Sequence, residues 1–251
     1  MKRAIVIGVN DYPGVDMDLA GCVNDADDWA TLLVGRGVET RILADGQATR
    51  DGILSALVGM VSELQKGDTL FFTFSGHGTY VADTNGDEPD RRDEGICPHD
   101  VMTAGPILDD ELNALFAARA KGSQIVLICD SCFSGTIAKG SILTRRVARF
   151  MPQSVGYKAH RSMAPIREQA GVSLSGCKDS EVSYDGSFGG RPNGAFTYWA
   201  IRTFKGCLTY NSWMAEIRRH LPSRDYPQTP QINGSMLERN RPALGVVPGP
   251  C

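Results

Sequence analysis

Two short stretches of this chain carry side chains suited to nucleophilic chemistry. "IVLICDSCFSG", Ile125 to Gly135, runs apolar for four residues and then presents Cys129, Asp130, Ser131 and Cys132. "FFTFSGHG", Phe71 to Gly78, ends its apolar run with His77 between two glycines. A histidine near a thiol can hold it as thiolate and later hand a proton to a leaving amine. The glycines beside His77 leave room for a substrate backbone, and free amides there can donate to an oxyanion. An isolated cysteine is more often a small buried hydrophobe. Two reactive groups at matching strand ends favour a Cys132/His77 dyad instead.

The elements that place these groups follow from hydrophobic spacing. Lys2 to Val9 reads as a buried strand. "NDADDWATLLVGRG" reads as a helix with an Asn or Asp cap and Ala26, Trp29, Ala30 and Leu33 on one face. Val38 to Leu43 is a second strand, and Thr49 to Leu64 a second helix with a stripe of Ile53, Leu57, Met60 and Val61. "DTLFFTFSGHG" is a third strand, "LDDELNALFAARA" a third helix with acids in its first turn, and "QIVLICDSC" a fourth strand. Apolar strands alternating with helices predict an α/β fold, a mostly parallel sheet with helices on both faces. In such sheets functional residues gather at the carboxyl ends of the strands, where both reactive stretches end. From Ser134 to about Gly171 the chain is basic, Pro-containing and aperiodic, which predicts a long mobile loop. "AGVSLSGC" is then a strand, followed by a Gly-rich loop through Asn193, helices in "GAFTYWAIRTF" and "YNSWMAEIRRHL", and a short strand in "PQTPQING".

Bulk properties narrow the function classes. The 251 residues, 42% hydrophobic and 22% charged, suit one globular domain. A net charge of -3 and a pI near 5.8 give no general attraction to nucleic acid or to anionic membrane. The apolar run after Met1 is too short for a signal peptide, and no stretch approaches the length of a membrane span. Seven cysteines without a framework predict reduced thiols and a cytoplasmic protein. Cys129-x-x-Cys132 lacks the second pair or the histidines of a zinc site. "GVNDYPGVD" after the first strand lacks the glycine cradle of a nucleotide-binding domain.

"SGHG", "DSCFSG" and "GCVNDA", followed by "LSGCKDSEVSYDG" and "NGAFTYWAI", together resemble the metacaspases, the caspase-like cysteine peptidases of clan CD and peptidase family C14, in their bacterial single-domain form. The histidine lies about 50 residues before the cysteine, as in caspases. The resemblance implies a caspase-like three-layer sandwich over 1–251. Residues 1–138 would be the large-subunit-like part, 139–170 the basic loop and 171–251 the small-subunit-like part. It implies Cys132 as nucleophile, His77 as general acid/base, and the amides of Gly78 and Cys132 as oxyanion hole. Asp25, Ser75 and Asp130 match the positions that line the pocket for the residue before the scissile bond. Two carboxylates there would select Arg or Lys and reject Asp.

The expected activity is thus endopeptidase cleavage after Arg or Lys by a monomer acting on protein or peptide substrates. The alternative is a catalytically silent caspase-like module used for binding. Calcium is a further implication of the family, through Asp93, Asp109 and Asp110. In "DTNGDEPDRRDEGICPHD", Asp83, Asn85, Asp87 and Glu94 fit an EF-hand count, but Glu88 stands where glycine is needed, and a solvated acidic loop is the better reading. Lys139 occupies the place of a further acidic ligand, so no strict calcium requirement and no obligatory cofactor are expected. Self-cleavage is expected between Lys139 and Arg167, with Arg145 or Arg146 as the favoured site.

Overall fold

The computed structural model describes residues 1–82, 92–132, 147–153, 171–178 and 180–245. Its central sheet has six strands: β1 (Lys2–Gly8), β2 (Glu39–Ala44), β3 (Thr69–Ser75), β7 (Gln124–Asp130), β9 (Gly171–Ser175) and β12 (Gln231–Asn233). Their order is β12-β9-β7-β3-β1-β2, parallel throughout except for the antiparallel edge strand β12.

Alternation along each strand divides the apolar side chains between two cores. Ile5, Ile7, Leu70, Phe72, Phe74 and Ile125 face helices α2 (Arg50–Ser62) and α4 (Asp109–Ala117), where Ile53, Leu57, Leu112 and Phe116 meet them. Ala4, Val6, Phe71, Val126 and Ile128 face α1 (Cys22–Val34), α5 (Ala195–Thr203) and α6 (Tyr210–Ile217), through Trp29, Leu33, Phe196 and Trp213. The short helices α3 (Val101–Ala104) and α7 (Met236–Arg239) complete the set. This is the three-layer α/β arrangement read from the sequence.

Asp130 shares its strand face with Val126 and Ile128, and Ser75 shares its face with Phe71. The two residues are register partners, so both emerge at one level on the α1 side. The cap expected from Asn24 or Asp25 is absent: α1 starts at Cys22, and Asn10 Oδ1 accepts from Cys22 N at 2.8 Å. A side chain from the loop after β1 thus takes the capping role, and Asp25 turns inward, fully buried.

Two small antiparallel sheets were not foreseen. One comprises β4 (Gly78–Ala82), β5 (Arg92–Ile96) and β6 (Ile107–Leu108), so part of the acidic stretch read as a solvated loop is strand. The other orders as β11-β10-β8, with β10 (Tyr184–Phe188) and β11 (Arg191–Gly194) joined by Gly189-Gly190, a favoured hairpin dipeptide. The predicted Gly-rich loop is therefore a hairpin. Strand β8 (Val147–Ala148) pairs with β10, which corrects the expectation of a long loop at that point. Cys207 is disulfide-bonded while Cys22, Cys97, Cys129, Cys132 and Cys177 are free, so the expectation of reduced thiols fails at one position. Pairing depends on proximity in the folded chain, which spacing along the sequence does not report. Among the described residues no helix is long and apolar enough to cross a membrane.

Candidate active site

His77 follows the carboxyl end of β3, and Cys132 that of the neighbouring strand β7. Both are buried. The His77 main-chain N–H donates to Tyr12 Oη at 2.8 Å, and the two rings lie 4.8 Å apart. His77 Nε2 lies 2.6 Å from the Met17 carbonyl oxygen. A carbonyl only accepts, so Nε2 carries the ring proton and Nδ1 keeps its lone pair. Among the described residues Nδ1 has no hydrogen-bond partner. Burial lowers the His77 pKa to about 4, against the Met17 contact that raises it, so the ring is neutral at pH 7. In this arrangement His77 is a base awaiting a proton, not an imidazolium stabilising a resting thiolate. Cys132 Sγ accepts from Ser183 N at 2.5 Å and reaches the Ser183 carbonyl oxygen at 3.2 Å.

The segment Val147–Gln153 lies across these groups. The amides of Gly78 and Cys132, named from the sequence as oxyanion donors, both donate to the Arg149 carbonyl oxygen, at 3.0 and 3.2 Å. Arg149 N donates to the Ser183 carbonyl oxygen at 3.0 Å, while Ala148 and Val147 pair with Tyr184 and Asp185. On the other side Met151 N donates to the Gly78 carbonyl oxygen at 2.9 Å, and Thr79 Oγ1 donates to the Met151 carbonyl oxygen at 2.7 Å. An extended peptide is therefore seated in the cleft with one carbonyl on the two amides. Gly78 permits this approach differently from expectation: a Cβ there would meet the backbone of Cys132, not that of a substrate.

The Arg149 side chain is fully buried among carboxylates. Nη2 donates to Asp25 Oδ2 at 2.7 Å and to Asp185 Oδ1 at 2.5 Å, and Nε donates to Asp185 Oδ1 at 3.0 Å. Nη1 donates to the Asp130 carbonyl oxygen at 3.0 Å and stands 3.2 Å from Asp130 Oδ2. The carboxylates are themselves held. Ser183 Oγ donates to Asp130 Oδ1, and Thr197 N to Asp130 Oδ2 at 2.9 Å. Asn193 Nδ2 and Gly194 N donate to Asp25 Oδ1 at 2.9 and 3.0 Å. Ser75 is buried at the same strand level.

The structure thus brings Asp25, Ser75 and Asp130 to one place, as the sequence implied. It adds Asp185, Ser183, Asn193, Thr197 and Gly194. Gly194 forms a wall: any Cβ would strike Asp130 Oδ2 and the Arg149 guanidinium. The signal for Asp185 was a carboxylate inside an alternating stretch, "SYDGSF", ahead of a Gly-Gly turn.

Burial raises the Asp25 pKa to about 7, although Arg149 opposes the shift. For Asp185 burial also pushes upward, but Arg149 and the amides of Ala20 and Gly21 outweigh it, and the net direction is down. A carboxyl whose pKa is raised by folding lends stability at low pH, and that stability is lost as pH rises through the folded value. The melting temperature of the protein, compared with that of Asp25→Asn, should therefore fall as pH climbs from about 4 to about 7. A flat difference across this window would remove the shift assigned to Asp25.

Asp93 lies on β5, and Asp109 and Asp110 in the first turn of α4. Leu108, not an aspartate, is the N-cap of α4, and Glu111 accepts from Leu108 N at 3.1 Å. Among the described residues no group of three or more His, Cys, Asp or Glu is arranged to hold a metal ion. Asp83, Asn85, Asp87, Glu88, Lys139, Arg145 and Arg146 lie outside the described residues.

The fold is that of the caspase class. Caspase-1 from Spodoptera frugiperda superposes with a TM-score of 0.63 at 12% identity, over 93% of this chain and 86% of that one, a likeness of fold alone. A crystal structure of a Geobacter sulfurreducens protein matches with a TM-score of 0.77 and 30% identity, over 98% of this chain and all of the other. The family model described as "Metacaspase, peptidase C14 domain" matches residues 2–140. Metacaspase-1 of Mycosarcoma maydis is 30% identical over 93% of this chain and 70% of its own length. For Metacaspase-3 of Arabidopsis thaliana the values are 34%, 81% and 59%. The chain belongs to the metacaspases of peptidase family C14, a family of cysteine-type endopeptidases.

Proposed function

We propose that this chain hydrolyses peptide bonds after Arg or Lys, with Cys132 as nucleophile and His77 as general acid/base. The observation that best supports this reading is Arg149, whose carbonyl oxygen sits on the amides of Gly78 and Cys132 while its guanidinium is surrounded by Asp25, Asp130 and Asp185. A substrate Arg would take the same position.

Cys132 Sγ attacks the carbonyl carbon, and its proton passes to His77 Nδ1. The two amides hold the oxyanion. As the C–N bond breaks, His77 returns the proton to the leaving amine. A water then gives a proton to His77 and attacks the thioester. The acid departs and Cys132 regains its proton. In the resting arrangement Cys132 is engaged by Ser183 and His77 by Met17, so the thiol must turn from Ser183 before it can attack.

The same reading moves the expected self-cleavage site from Arg145 or Arg146 to the bond between Arg149 and Phe150, because Arg149 is the residue in the acidic pocket. Until that bond is cut or the segment lifts, Val147–Gln153 acts as a strap over the cleft. The silent-module alternative makes the strap a permanent plug.

The test pairs fluorogenic Arg and Asp peptides with mass spectrometry of the incubated protein. Cleavage of the Arg peptide alone is expected, with fragments ending at Arg149 in the wild type and none in Cys132→Ala or Arg149→Gln at that position. A preference for Asp would refute the pocket. Intact protein without turnover would favour the plug.

A further inference from the structure

The strap is held on both sides of its Arg149–Phe150 bond. On the amino side Arg149 is fully buried while Val147 is 50% exposed, and on the carboxyl side Phe150 is 4% and Met151 0% exposed. Phe150 stacks on Tyr80 with ring centroids 6.0 Å apart and planes at 22°, and it packs in a small cluster with Cys132, Cys177 and Val182. The Arg92 guanidinium covers the Tyr80 ring at 4.3 Å. Met151 joins the larger core. The main chain on this side is fixed by Gly78 and Thr79, the first residues of β4, and Gln153 Nε2 donates to the Tyr80 carbonyl oxygen at 2.8 Å. Strand β4 therefore forms a rail for the part of a peptide that follows the cut, with an aromatic shelf beside the nucleophile.

We propose that this site selects substrates on the leaving-group side as well, taking Arg or Lys followed by a large aromatic residue and then an unbranched apolar one, with Tyr80 setting the preference. The inference rests on reading Val147–Gln153 as an internal peptide bound as a substrate would be. Burying an aromatic side chain and an apolar neighbour is enough to alter the rate strongly, while a charged residue in the place of Met151 would be desolvated among apolar side chains.

The experiment uses quenched fluorescent peptides that share one Ala-Arg segment and continue with Phe-Met, Leu-Met, Gly-Gly or Asp-Asp. For the self-processed enzyme, kcat/KM should be about 10- to 100-fold higher for Phe-Met than for Gly-Gly, and lowest for Asp-Asp. Tyr80→Ala should narrow the ratio, and Tyr80→Phe should restore it. Equal rates on all four peptides would overturn the proposal and leave the Arg specificity standing. Failure to cut any of them would refute the peptidase reading itself. A second measurement needs no turnover. In Cys132→Ala, Phe150→Gly should let added trypsin cut after Arg149 at least about tenfold faster, and Phe150→Tyr should remain protected. Equal protection in both variants would overturn the proposal regardless of activity.

Discussion

Replacing Cys132 with alanine is expected to lower hydrolysis of an Arg peptide by a factor on the order of 10⁴ or more, as removal of a catalytic nucleophile does in enzymes that work through a covalent intermediate. The substitution removes one buried sulfur and leaves the Gly78 and Cys132 amides in place, so folding should survive. Circular dichroism and the melting temperature check that point. His77→Ala should cost about 10² to 10⁴. The two variants together should lose little more than Cys132→Ala alone, because both groups act in the same step. Residual cleavage in Cys132→Ala at a substantial fraction of the wild-type rate would transfer the role to another thiol. Cys22 is a poor substitute, since burial holds its pKa well above that of an ordinary thiol.

The second large effect concerns a residue that sequence reasoning did not single out. Asp185 makes two of the contacts to the Arg149 guanidinium and is held on the ionised side. Removing one partner of a buried ion pair costs about 3–5 kcal/mol, which corresponds to roughly 140- to 4000-fold in kcat/KM for Arg peptides. Asp185→Ala should show this loss at pH 7. Asp25→Ala should show less at the same pH, because Asp25 is partly protonated there. Asp185 also accepts from Ala20 N and Gly21 N, so Asp185→Asn, which keeps one acceptor oxygen, separates loss of charge from loss of fold. Equal activity of wild type and both Asp185 variants would remove this residue from the pocket.

The placement of His77 and Cys132 at neighbouring strand ends was legible because residue type and local pattern coincide: an apolar strand that ends in His77 or Cys132 is unusual whatever surrounds it. Asp25 and Asp130 were legible only through family resemblance. Asp185 was harder to see because its place depends on the pairing of β10 with β8, which brings it to a residue far along the chain. Arg149 looked like one more cation in a basic stretch. Its burial requires three carboxylates supplied by α1, β7 and β10, a coincidence that no local window contains. The sheet β4-β5-β6 was hidden for another reason. Its β5 strand, "RDEGI", carries charges and a glycine where strand composition favours β-branched and aromatic residues. The longer helices α1, α2, α4, α5 and α6 were read well, since each buries a stripe and the 3.6-residue spacing survives in the sequence, whereas the four-residue α3 and α7 are too short to show one.

The strap over the cleft is joined to the rest of the chain at both ends, so dilution does not change its local concentration. A nanomolar and a millimolar solution would be silenced to the same degree. The first cut made within a molecule would follow the rate at which its own strap settles and its thiol turns. Cuts made by neighbours would follow the number of molecules already open. Activation would then begin as a clock that ignores crowding and continue as a chain reaction that depends on it.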